Sequence, residues 1–274
     1  MLPLTHYLFF PVGAKLMISF RPVCLLGCSV LLFGLAGCGL LQSGSNQVKA
    51  AAVEPAPNAG FISQPERQKA RADLPFQKVW IKPGFDKSRY QYMVVAPVNT
   101  HYMLEMDWMH NLSSATWLSD VKADIEELAG YFHGQVVREL RNDPKHRFQV
   151  VEQAPRKGGR TLKLELALIE IDPSQPVLHG LGWLQPGAGA VAGAVNQRRA
   201  AFEGRLRDAK TNEVVATFAD RDMADIGPID LTRLTWYGPA KDIMDLWARQ
   251  FVQLANRKPG EVVNDPTPVT LMPF

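Results

Sequence analysis

Between Thr161 and Ile171, leucine recurs at every second position. Leu162, Leu164, Leu166 and Leu168 are separated by Lys163, Glu165 and Ala167. A period of two is that of a pleated strand with one buried face. A chain with such a strand must fold so that other elements cover the leucine face. At its far end Ile169 and Ile171 add apolar character to the other face. No disulfide can help, because the three cysteines are Cys24, Cys28 and Cys38, all near the start. The fold rests on its core alone, and a folded part of roughly 180–190 residues is large enough to have one.

The covering elements are legible. Tyr90–Val98 reads as a strand, with Pro97 near its end. Ser119 is the expected N-cap of a helix from Asp120 to Arg141, stopped by Asn142-Asp143-Pro144. Its apolar face is Val121, Ile125, Leu128, Phe132, Val136 and Leu140, at steps of three and four. Arg147–Val151 is a short strand. Arg199–Arg207 and Val214–Asp222 form a hairpin around Asp208–Glu213. Phe202, Gly204 and Leu206 face one way in it, and Glu203, Arg205 and Arg207 the other. The cluster Asp220, Arg221, Asp222 and Asp225 reads as a solvated strand end. Gly238-Pro239 opens a second helix, proline being suited to the first helical position. Its apolar face is Ile243, Trp247, Phe251 and Leu254, with Leu246 beside them. The fold class is therefore α+β: one mixed or antiparallel sheet of about five strands, with two main helices packed on one face.

The first residues give an address. From Met17 the chain has a basic start at Arg21, an apolar core from Val23 to Phe33, and small residues before Cys38. Leu35-Ala36-Gly37-Cys38 reads as the lipobox of a bacterial lipoprotein, with Cys38 as the acylated first mature residue. Met17 is favoured over Met1 as the true start, because it gives a leader of ordinary length. A membrane-spanning helix from Pro22 to Leu41 is the alternative, weakened by Gly27, Gly34, Gly37 and Gly39. Gly39 rather than Asp follows Cys38, which favours an outer-membrane location facing the periplasm. The expected organisation is a signal peptide over 1–37, then the lipidated cysteine and a flexible linker over 38–73. A single α+β domain follows over 74–258, and a tail over 259–274 trails on the surface. From Cys38 onward 28 basic residues face 27 acidic ones, so no basic surplus marks a nucleic-acid binder.

These features together resemble the bacterial lipoprotein family called domain of unknown function 3313. The likeness is carried by the lipobox, the first helix, the strand Leu162–Glu170, Asp172-Pro173 and the Gly187–Gly193 run. It is carried also by Ala201–Ala216, with its Asp208-Ala209-Lys210-Thr211-Asn212-Glu213 turn. Asn212 stands where the similar pattern often has glycine, and asparagine tolerates a positive φ. The resemblance implies an architecture and an envelope location. The family carries no established activity.

Catalytic constellations are weak. Gly187–Gly193 lacks the strand–loop–helix setting of a dinucleotide loop and reads as a connection or a small-residue packing surface through Gly187, Gly189 and Gly193. The histidines are scattered, without metal-ligand spacing. Glu105, Asp107 and His110 read as a solvated loop. The serines lack a nucleophile elbow. No cofactor, metal or catalytic residue is expected. The segment 99–118 carries methionines and aromatics, with Trp108 and Trp117 as interaction candidates. The expected role is a membrane-anchored, non-catalytic binding or assembly module, whose partner is an envelope protein or a second copy. The alternative is a periplasm-facing carrier of a lipid or small apolar ligand.

Overall fold

The computed structural model describes residues 53–105, 115–172, 199–223 and 237–265, with only the backbone described for 115–120. Its strands are β1 (Lys78–Ile81), β2 (Tyr90–Val95), β3 (Gln149–Val150), β4 (Arg160–Ile171), β5 (Arg199–Asp208) and β6 (Val214–Met223). Its helices are α1 (Ala115–Arg141), between β2 and β3, and α2 (Gly238–Asn256), after β6. They form an α+β fold around a six-stranded sheet of order β1-β6-β5-β4-β2-β3. The sheet is mixed: β2 runs parallel to both β3 and β4, and the other neighbours are antiparallel.

The leucine face of β4 meets the apolar faces of both helices in one core. The expected α1 stripe from Val121 to Leu140 is buried throughout. Trp247 of α2 is fully buried at the centre. Its ring lies 4.6 Å from that of Phe202 and 5.6 Å from that of Phe132. Phe76, Phe218 and Phe251 close the cluster, with centroids 5.2–5.5 Å apart. Full burial of each such ring contributes about 1.5–3 kcal/mol, before the entropy of ordering it. Gly204 is what lets the Phe218 ring approach the β5 backbone closely, since a Cβ there would sit 2.0 Å from that ring.

The structure corrects several boundaries. The sheet gains β1, a four-residue strand that is too short to show a period. Helix α1 begins at Ala115, so Ser119 lies inside it rather than capping it. Strand β2 ends at Val95 because Pro97 has no N–H, yet the chain still follows β4 through Ala96 and Asn99. A bulge between Leu168 and Glu170 puts Ile169 on the second face and returns Ile171 to the main core. The β5–β6 turn has Asn212 at φ +59°, the left-handed geometry that asparagine tolerates.

The largest correction concerns the linker. Residues 53–73 are part of the fold, with Val53, Ala56, Phe61 and Ile62 buried. The beginning of the tail also packs: Val263 is buried and its N–H donates to Asp73 O.

Candidate functional site

Alternation that sends leucine and phenylalanine to the helices sends charge to the other face of the sheet. Cross-strand pairing aligns it in rows: Glu165 with Arg205 and Thr217, Ala167 with Glu203 and Ala219, and Glu170 with Ala201 and Arg221. Residues 53–62 run over this face as a strap. Ala56, Phe61 and Ile62 pack on Ala167, Ile169, Ala201 and Ala219.

Glu203 is the strap's main fastening. It is 1% exposed, and it accepts the backbone N–H groups of Ala59 (3.2 Å), Phe61 (2.9 Å) and Ile62 (3.2 Å). A buried carboxylate is costly unless donors surround it, and the strap's own backbone supplies them. Gln77 holds the strap's entry: its Nε2 donates to Val53 O (2.9 Å), and its Oε1 accepts from Ala56 N (3.3 Å) and Arg221 N (3.1 Å). Lys78 Nζ donates to Ala56 O and to Asn58 Oδ1. Burial lowers the Lys78 pKa, with the nearby Glu203 charge working against that.

Above Glu203 lies a buried ion network. Arg221 Nε donates to Glu170 Oε2 (2.8 Å), and its Nη1 donates to Glu54 O (3.3 Å). Arg199 Nε bridges Asp172 Oδ2 (2.9 Å) and Glu170 Oε1 (3.3 Å). On the core side, Asp220 accepts from Trp247 Nε1 (2.9 Å) and Gln77 N (3.1 Å). The expected solvated strand end is therefore corrected, because Asp220, Arg221 and Asp222 are all buried. Asp225 lies outside the described residues.

Below Glu203 the charges are partly open. Glu165 Oε2 accepts from Arg205 Nε (2.5 Å) and Arg207 Nε (2.9 Å), and its Oε1 pairs with Lys163 Nζ (2.7 Å). Burial pushes the Glu165 carboxyl up, but the hydrogen bonds from these three cations outweigh it and bring the pKa to about 2. The Arg205 guanidinium lies 4.2 Å above the Phe61 ring and donates to Phe61 O (3.0 Å), which joins this row to the strap.

At the start of β4, Asp208 accepts from Tyr90 Oη (2.9 Å), Arg160 Nη2 (2.5 Å) and the N–H groups of Lys210 and Thr211. Burial works to raise the Asp208 pKa, but the Arg160 hydrogen bond and the other donors hold it well below the usual carboxylate range. Beside this group is a polar cavity of about 110 Å³, lined by Lys82, Phe85, Asp86, Arg89, Tyr90, Arg160 and Glu213 among others. Its charges are mostly paired, Lys82 with Glu213 and Arg160 with Asp208.

Cys38, Leu35, Ala36, Gly37, Trp108, Gly187, Gly189 and Gly193 lie outside the described residues, as do Asp107 and His110. For Trp117 only the α1 backbone is described. His133 lies 3.2 Å from Val95 O through Nε2 and links α1 to β2. Among the described residues no group of three His, Cys, Asp or Glu could hold a metal ion, and no helix is long and apolar enough to cross a membrane. The strap, its glutamate and the ion network escaped sequence reasoning. The available signal was Glu203 within Ala200-Ala201-Phe202-Glu203-Gly204, a lone acid in an otherwise uncharged run.

A family model described as "Protein of unknown function (DUF3313)" matches residues 60–251. No curated protein matches the chain. Among solved structures it is similar to a PelC dodecamer from Paraburkholderia phytofirmans, at 12% identity and a TM-score of 0.34, over 63% of this chain and 95% of that one. It is similar also to the hypothetical protein CT253 from Chlamydia trachomatis, at 11% identity and a TM-score of 0.32, over 61% of this chain and 93% of that one.

Proposed function

Because the chain belongs to the DUF3313 family, a family of unknown function, we propose its role from its own residues. It is a bacterial envelope lipoprotein, cleaved before Cys38 and acylated there. It is held at the outer membrane facing the periplasm, and acts as a non-catalytic binding or assembly module. The observation that carries this reading is Leu35-Ala36-Gly37-Cys38 at the end of an apolar run. Small residues before a cysteine are the processing signal, and two or more acyl chains on that cysteine anchor stably.

The strap supports the reading and sharpens it. The first described residue after Cys38 is Val53, already docked through Gln77. The anchor is thus separated from the fold by residues 39–52, which reach at most about 50 Å fully extended. The module works close to the membrane surface. Buried Glu203 and Arg221 are spent in holding the strap, which favours a binding role over a catalytic one. The closed aromatic cluster around Trp247 favours it over a carrier with an apolar chamber between helices and sheet. The partner is an envelope protein or a second copy of the chain.

Metabolic labelling with a fatty acid, followed by membrane fractionation, tests the anchor. The expected result is a labelled protein in the membrane fraction, and an unlabelled, unprocessed precursor for Cys38→Ser. Equal labelling of both chains overturns the reading.

A further inference from the structure

The row of the second face below the strap carries more positive charge than its one carboxylate can balance. Lys163, Arg205 and Arg207 all bond Glu165, at 2.5–2.9 Å, leaving two positive charges uncompensated in the cluster. None of the three is sealed from solvent, with side chains 41%, 25% and 19% exposed. Each arginine commits Nε to Glu165 and Nη1 to a backbone carbonyl, Phe61 O for Arg205 and Asn212 O for Arg207. That leaves Nη2 of both without a hydrogen-bond partner among the described residues. Thr217, paired with Arg205 across β5 and β6, adds a buried hydroxyl with no partner there.

We propose that Lys163, Arg205 and Arg207 seat the phosphate of an anionic lipid headgroup, turning the second face of the sheet toward the membrane that holds the anchor. This rests on the lipoprotein reading. Guanidinium groups pre-fixed at Nε and Nη1 present their remaining N–H donors at little entropic cost, and phosphate oxygens match that geometry. The chain from the anchor also arrives on this face, because the strap from Val53 to Ile62 lies on it. The reach set by residues 39–52 keeps the row within range of headgroups. A soluble polyanion is a poorer match, since the chain from Cys38 onward has almost no net charge. The seat is a local patch that becomes effective because the anchor concentrates it at a surface. Each cation near an anionic surface changes the docked-to-undocked ratio by about five-fold.

The experiment uses the acylated mature chain in vesicles. No cysteine follows Cys38, so Lys210→Cys in the exposed β5–β6 turn supplies a single thiol for a fluorophore. The vesicles are phosphatidylcholine alone, or phosphatidylcholine with phosphatidylglycerol, each with a headgroup-linked quencher. Quenching is expected only with phosphatidylglycerol, and high salt should reverse it. Lys163→Gln with Arg207→Gln should lower the docked ratio by about 25-fold, and Arg207→Lys, which keeps the charge but not the fixed guanidinium, should lower it by less than Arg207→Gln. Arg205 stays in place so that its bond to Phe61 O keeps the strap down. Equal quenching in both vesicles, or quenching that ignores salt, overturns the seat without need of a variant. Protein that stays in the vesicles yet shows no quenching overturns the seat and leaves the anchor standing. Protein that fails to stay in the phosphatidylcholine vesicles overturns the anchor of the lipoprotein reading, on which the seat rests.

Discussion

Glu203→Gln is the sharpest test of the strap. The two side chains have the same shape, so packing is unchanged and only the donor–acceptor pattern differs. In the native chain Oε2 accepts from Phe61 N and Ile62 N, and Oε1 accepts from Ala59 N. A glutamine keeps one acceptor oxygen. Its best orientation gives that oxygen to Phe61 and Ile62, and turns its NH₂ group against the Ala59 N–H. One half-buried donor is then unsatisfied, at about 1–3 kcal/mol, and two bonds lose charge assistance, at about 1 kcal/mol each. The strap should therefore loosen by about 3–5 kcal/mol, unless it releases first and regains water. Burial of Phe61 and Ile62 opposes release, at about 1.5–3 kcal/mol each. Native-state hydrogen exchange reads this directly. Amides of Phe61 and Ile62 should exchange roughly 10²- to 10⁴-fold faster than in the parent. Amides of Leu164 to Leu168 should change far less. Unchanged exchange at Phe61 and Ile62 would refute Glu203 as the fastening. An equal acceleration in β4 would refute the strap as a separately opening unit.

Gly204→Ala should destabilise the fold by about 1–3 kcal/mol in urea unfolding, because its Cβ would meet the Phe218 ring in the core. Gly130→Ala, in an open site on α1, should instead stabilise by about 0.5–1 kcal/mol, so a similar sign for both would contradict the assignment. Glu165 has a depressed pKa, so its contribution is present above the unfolded value of 4.5 and is lost as pH falls toward about 2. After discounting for solvent, that contribution is about 1–2 kcal/mol, and Glu165→Gln should flatten this part of the stability–pH curve. Trp247→Phe removes one donor to the buried Asp220 carboxylate and some ring volume, and should cost about 2–4 kcal/mol by thermal unfolding.

The elements with a long, clean period were readable from the residues alone. Leu162–Leu168, the β5–β6 hairpin with Asn212 in its turn, and the stripes of α1 and α2 each state their own geometry. What could not be read depends on partners far along the chain. The strap has no period, and its alanines and prolines have the composition of a linker. It docks because Glu203, more than 140 residues later, offers a buried acceptor for its amides. Strand β1 exists because β6 and Lys69 pair with it, and four residues are too few to show alternation. Asp220, Arg221 and Asp222 look solvated because charge usually is. Only the fold shows that Trp247, Gln77 and Glu170 stand ready to receive two of them. Local pattern sets the elements, and buried polar pairing sets how the ends of the chain are fastened to them.

The most direct measurement is the mass of the mature N-terminal peptide taken from membranes of the native host. A tethered lipoprotein predicts a peptide that begins at Cys38 and carries acyl groups on that residue. A peptide that retains residues from the leader, or one that begins elsewhere without acylation, would contradict the account.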